Sequence, residues 1–177
     1  MTPQATLSHL PNNTYALKIQ GRFTHPHWMA FLFSGLSAAK VSVMSGHAAQ
    51  DEAGWNAQWI LDFSRSDAAP ESLDYVALAL QRSTPTGTMA PTLTEYKIAR
   101  RSDQSLEVHL QGPDQIGFLG RVLSRLSLIM LFPVSIDIST TGGLLRDTIV
   151  FRGIGGMAPN DDAQKSLDIL LKSYVSV

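Results

Sequence analysis

Four groups of residues in this chain have types and spacings that could do chemistry. In the first, His25 and His27 flank Pro26, with His47 and Asp51 further on. A His-x-His pair binds zinc or copper once a third ligand arrives. No fixed-spacing metal motif accompanies these residues, so exposed or packed loop histidines are the simpler reading and no metal is expected. The second group, Gly153-Ile154-Gly155-Gly156-Met157-Ala158, matches a GxGxxA pattern. A dinucleotide fingerprint needs a parallel βαβ unit with an acidic residue about 20 positions on. Here the preceding strand reads as the return of a hairpin, and the sequence runs out before such a residue, so a turn is expected and no cofactor.

The third group is Asp114-Gln115-Ile116-Gly117 with Phe118 and Leu119, at the start of a helical pattern. A helix N-terminus offers unpaired backbone N–H groups at a positive dipole end, which suits a carboxylate. Gly117 has no side chain to block approach to that backbone. Asp114 and the strand residue Asp137, with Ser135 beside it, could accept from an ammonium. The plainer reading is that Asp114 caps the helix and Gly117 permits close packing; the two readings do not exclude each other. In the fourth group, Trp55, Trp59 and Phe63 share a strand face, which suits a core better than an aromatic cage. No serine sits in a nucleophile elbow. Asp161-Asp162 is explained by the dipole of the helix it opens. No nucleophile–base set emerges, so the chain is not expected to be an enzyme; were it one, His25, His27, His47 and His109 would be the first suspects.

Composition narrows the partners. The 177 residues carry 14 Lys+Arg against 15 Asp+Glu, and the only adjacent basic pair, Arg100-Arg101, falls in an expected turn. Nucleic-acid binders carry a basic stripe, so no nucleic acid is expected. There is no cysteine, which excludes disulfides and thiolate chemistry. No signal peptide is evident at the N-terminus, and the longest apolar stretch, residues 126–138, is interrupted and too short to span a bilayer. A cytoplasmic protein that touches no membrane is the expectation. Charged residues make up 16% of the chain, below the usual quarter, which suggests surface hidden by a second copy or a regulatory partner protein.

The elements that must position these residues repeat. Leu106, Val108 and Leu110 alternate with polar neighbours, as do Tyr15, Leu17 and Ile19, and the two runs end at Gly112 and Gly21, 91 apart. A helical pattern follows each: Leu119, Val122, Leu123 and Leu126 in one, Trp28, Leu32 and Leu36 in the other. Two strands come next, Val134-Ser135-Ile136 onward and residues 145–152, turned by Thr141-Gly142-Gly143, against residues 41–47 and 55–63. Val41 and Val134 are 93 apart, Phe63 and Phe151 88. A second helix follows Pro70-Glu71 and Asn160-Asp161-Asp162, with Leu73 and Ala163 90 apart. Residues 93–99 supply a strand read as closing the first unit; 174–177 leave at best a stub for the second. Residues 83–92, rich in Thr, Pro and Gly, read as a long surface loop.

The expected fold is therefore α+β: two ferredoxin-like βαββαβ units in tandem, with antiparallel sheets and helices on one face. The first unit spans 1–100 and the second 101–177, its last strand short or missing. Two such units can join edge to edge and extend the sheet.

The second half resembles an ACT domain. Asp114, with Gly117 three residues on and Phe118-Leu119 after it, looks like that family's strand-to-helix loop. Residues 134–143 look like its second strand and turn, and Asp147-Thr148-Ile149-Val150-Phe151 like its returning strand. The first half is divergent: in the repeat alignment Pro26 stands opposite Gly117. The resemblance implies a regulatory module that binds an amino acid or similar metabolite through the loop after the first strand and the second strand of a neighbouring unit, and that signals to a partner. It points to Asp114, Gln115, Ile116, Gly117, Phe118, Leu119, Ser135 and Asp137 as ligand-binding residues. The alternatives are a ligand-free module for protein–protein interaction or oligomerisation, and an enzyme on this scaffold using the loop histidines.

Overall fold

Alternating apolar and polar residues become strands, and the one-faced apolar stripes become helices, in the computed structural model, which describes residues 1–81 and 90–175. The chain runs β1 (Gln4–His9), β2 (Thr14–Gly21), α1 (Trp28–Ala38), β3 (Ser42–Asp51), β4 (Gly54–Asp62), α2 (Tyr75–Leu80), β5 (Glu95–Arg100), β6 (Leu106–Pro113), α3 (Phe118–Leu128), β7 (Phe132–Thr141), β8 (Leu144–Arg152) and α4 (Asp161–Lys172). The strands form one eight-stranded sheet in the order β1-β2-β4-β3-β7-β8-β6-β5, antiparallel throughout. The helices cover one face. The alternate residues Leu17 and Ile19, Trp59 and Leu61, Val108 and Leu110, and Ile149 and Phe151 point into the layer between sheet and helices and are buried.

The fold is the expected α+β pair of ferredoxin-like units, with one correction to how each unit is closed. Residues 93–99 do contain a strand, but β5 pairs with β6 and so opens the second unit instead of closing the first. Its counterpart is β1, which pairs with β2 in the same way. Each unit thus reads β-β-α-β-β-α, and its first strand takes the sheet position that a closing strand would fill. The boundary expected at residue 100 therefore falls inside the β5–β6 hairpin. A short turn makes this the cheaper pairing, because a local hairpin costs less chain entropy than a return across the sheet. The stub expected at 174–177 contributes one parallel bridge, Val175 with Leu93; residues 176–177 lie outside the described residues. So do residues 82–89, most of the expected surface loop.

The two units meet where β3 pairs with β7, so the sheet is continuous. The halves match at an offset of 90 residues in this region: Trp28 with Phe118, Ser42 with Phe132, Gly54 with Leu144. In the seam His47 lies opposite Asp137, which is its own counterpart at that offset. A pseudo-twofold axis therefore passes through this pair. Above the seam α1 crosses α3. A Cβ on Gly120 would come within 2.8 Å of Ser34 Oγ and 2.9 Å of the Ser34 amide nitrogen, so the glycine sets how closely the helices approach.

Candidate functional site: a cleft across the seam

Close approach of the helices leaves a cleft beside α3, bounded by the second unit's β6–α3 loop and the first unit's β3. It opens to solvent on one side, and the free space within it is about 30 Å3. Asp114, Gln115, Ile116, Gly117, Phe118 and Leu119 all line it, together with Phe33 from α1 and Val41, Ser42 and Val43 at the start of β3. The floor comes from Ile138, Leu145 and Asp147. Residues of both units thus face one space.

Local structure explains the loop. The Asp114 amide donates to the Gly143 carbonyl at 2.8 Å, tying the loop to the β7–β8 turn. Gln115 Nε2 donates to the Thr92 carbonyl at 3.0 Å. Gly117 is the residue that leads into α3, at φ 80. That left-handed backbone suits glycine, and a Cβ there would also run into the Ser37 hydroxyl. No side chain caps α3. Asp114 is therefore not the cap that its position suggests, because the loop carries it three residues ahead of Gly117, where the cap would stand. The N-terminal end of α3 faces the cleft without an anionic side chain bonded to it.

The acidic groups are unequal. Asp114 stands exposed at the mouth; what desolvation it has raises its pKa, and the nearby Arg65 charge pulls the other way. Asp147 is 2% exposed on β8. Burial pushes its carboxyl up to about 7; a hydrogen bond from the Ser139 backbone opposes that rise and the Asp114 charge adds to it. Among the described residues, Asp147 Oδ1 and Gln115 Oε1 are buried without a hydrogen-bond partner. Both residues line the cleft, and a buried acceptor without a partner is costly unless a donor comes to meet it.

Ser135 and Asp137 do not join the cleft, contrary to expectation. Strand parity puts their neighbours Ile136 and Ile138 on the helix side, and therefore sends Ser135 and Asp137 to the open face. There Asp137 accepts from His47 Nδ1 at 2.7 Å across the seam. Conversely, Asp147 escapes the sequence reading as a site residue, although a signal is present: Leu145, Asp147, Ile149 and Phe151 share one parity, and one of the four is an acid.

The other sequence candidates are dispersed. His25 is exposed, and the His27 ring sits 5.2 Å from that of Phe132. His109 meets Glu107 at 2.9 Å and Thr148 at 3.0 Å on the open face. Among the described residues, no three His, Asp or Glu side chains are grouped to hold a metal ion. The glycines at 153–156 form a turn in which the Gly153 amide donates to the Met157 carbonyl at 2.8 Å. Trp55, Trp59 and Phe63 are buried in the core. Among the described residues, no helix is long and apolar enough to cross a membrane.

Fold and site together define a class: paired ferredoxin-like units sharing one sheet, with a small cleft where they meet. No protein-family model matches the chain, and no curated protein matches it in sequence. Among solved structures it is similar to aspartate kinase from Synechocystis, with a TM-score of 0.53 and 16% identity. The match covers 92% of this chain and 27% of that one, so the chain spans about a quarter of the kinase's length. At that identity the likeness is one of fold.

Proposed function

We propose that the protein is a regulatory module that binds a small amino acid in the seam cleft and signals to a partner protein through the arrangement of its two units. One observation carries this reading: the cleft is walled by both units, Val41, Ser42 and Val43 from one and residues 114–119 from the other. A ligand held there contacts both units, and it biases any equilibrium in which they shift relative to each other. The uncapped end of α3 suits a carboxylate, and the buried acceptors suit an ammonium. The fold likeness to part of a larger kinase chain agrees with a non-catalytic role.

The test is thermal melting of the full chain against the twenty standard amino acids. Ligand at a hundredfold excess over Kd adds about 2.7 kcal/mol, or roughly 5–10 °C for a chain of this size. At least one amino acid is expected to produce such a rise, and Gly117→Val to abolish it. A flat panel contradicts the reading. A second reading, assembly without a ligand, draws on β1 and β5, which end the sheet with one edge each outside the ladder; a stable oligomer together with a flat panel would favour it.

A further inference from the structure

Two observations inside the cleft go beyond its position. Asp147 Oδ1 and Gln115 Oε1 are both acceptors, both buried and both without a partner among the described residues. Asp147 comes from β8, outside the loop and the neighbouring strand where a ligand site was expected. The rest of the inner wall is largely apolar, with Phe33, Val43, Phe118, Ile138 and Leu145. Such a chamber rewards a compact group with several N–H donors and a positive charge, and it offers nothing to a long charged side chain. A primary ammonium has three donors and no acceptor, the complement of these two groups.

We infer that Asp147 and Gln115 form an ammonium receptor inside the cleft, which restricts the ligand to small molecules with a free primary amine and a short uncharged side chain. The inference rests on the amino-acid reading above for the placement of a carboxylate at α3, but not for the ammonium itself. Asp147 must be ionised to pair well. The other titratable groups about the cleft are Asp114 at its mouth, with Arg65 and Asp62 near it, and Arg121 on α3, whose guanidinium donates to the Ile116 carbonyl at 3.3 Å. α1 and β3 present Phe33, Val41, Ser42 and Val43, which carry no charge. Asp147 is therefore the group that gains charge near neutrality, and binding should tighten about tenfold between pH 6 and 8.

The experiment is calorimetric titration of wild type, Asp147→Asn and Gln115→Ala. The probes are the amino acid giving the largest melting shift, its N-acetyl and 2-hydroxy counterparts, and ethylamine. Circular dichroism checks that each variant is folded, and Gln115→Ala keeps the test decisive should Asp147→Asn misfold. The expected result is binding of the amino acid alone among the acids, weakened at least tenfold in each variant, with the pH dependence lost in Asp147→Asn. Equal binding of the 2-hydroxy acid, or an unchanged Kd and pH profile in Asp147→Asn, overturns the ammonium receptor and leaves the amino-acid reading standing. Ethylamine binding to wild type but not to Asp147→Asn, with no amino acid binding, supports the receptor and overturns that reading. No binding by any probe overturns both.

Discussion

The two units carry the same elements, yet the corners where each α-helix begins beside its neighbour's strand are built oppositely. In the second unit Gly117 leads into the helix, the facing strand brings Ser42, and the floor holds Leu145 and Asp147. At the same offset of 90 the first unit has His27, Phe132, Trp55 and Ala57. There the His27 ring lies 5.2 Å from Phe132, Trp28 meets Trp55 edge-on at 5.3 Å, and Phe23 stacks on Trp28 at 4.2 Å. One corner is filled with aromatic rings. The other is left partly hollow around a buried carboxylate. The repeat supplies a symmetrical frame, and side-chain volume and charge at a few positions leave one of its two matching corners, and not the other, as a candidate site.

The most forceful way to break this comparison is to exchange the floor residues. Ala57→Asp places a carboxylate in the filled corner, where nothing awaits it, and should cost about 3–5 kcal/mol. Asp147→Asn should do the reverse in the ligand-free protein. The Asp147 pKa is raised from 3.8 to about 7, so between those values the native state holds a proton that the unfolded state has lost. Its contribution to stability is full below about pH 4, falls as pH rises to about 7, and is flat above. A rise of that size corresponds to about 4 kcal/mol. Urea unfolding should therefore find Asp147→Asn more stable than wild type at pH 8 by up to that amount, and little different at pH 4. An equal gap at both pH values would remove the buried charge from the account.

A smaller effect separates the residues that begin the two helices. Gly117→Val combines a left-handed backbone with a Cβ driven into Ser37, and should cost about 2–3 kcal/mol. His27→Val, at φ −91, meets no left-handed backbone and gives up the ring's contacts with Phe31 and Phe132, and should cost about 1 kcal/mol. Equal losses in denaturant melts would mean that the two helix starts do not differ as described. The smallest effect lies on the pseudo-twofold axis itself. His47 and Asp137 are both more than half exposed, so a double-mutant cycle should give under about 1 kcal/mol, vanishing in high salt.

Most of the frame is legible in the sequence because strand and helix periodicities survive in both halves, as in residues 15–20 and 106–111. Closure of the units is not. The alternation of Ala5 and Leu7 marks β1 as half-buried, and a strand at 95–100 says nothing of which neighbour it pairs with. That choice depends on chain connectivity and not on pattern. The cleft is legible as a loop, residues 114–119, because an acid and a glycine before a helix have local causes. Ser135 and Asp137 have the right chemistry for a ligand but the wrong parity, which sends them to the open face. Parity also decides Asp147, whose meaning lies in sharing a face with Leu145 and Ile149 and not in any local motif.

The asymmetry between corners is tested most directly by the stoichiometry of amino-acid binding, measured by calorimetry at pH 8 on the full chain. One equivalent per chain is the predicted result, from a single hollow corner. Two equivalents of similar affinity, or one that persists unchanged when Asp147 and Gln115 are both replaced, would contradict it.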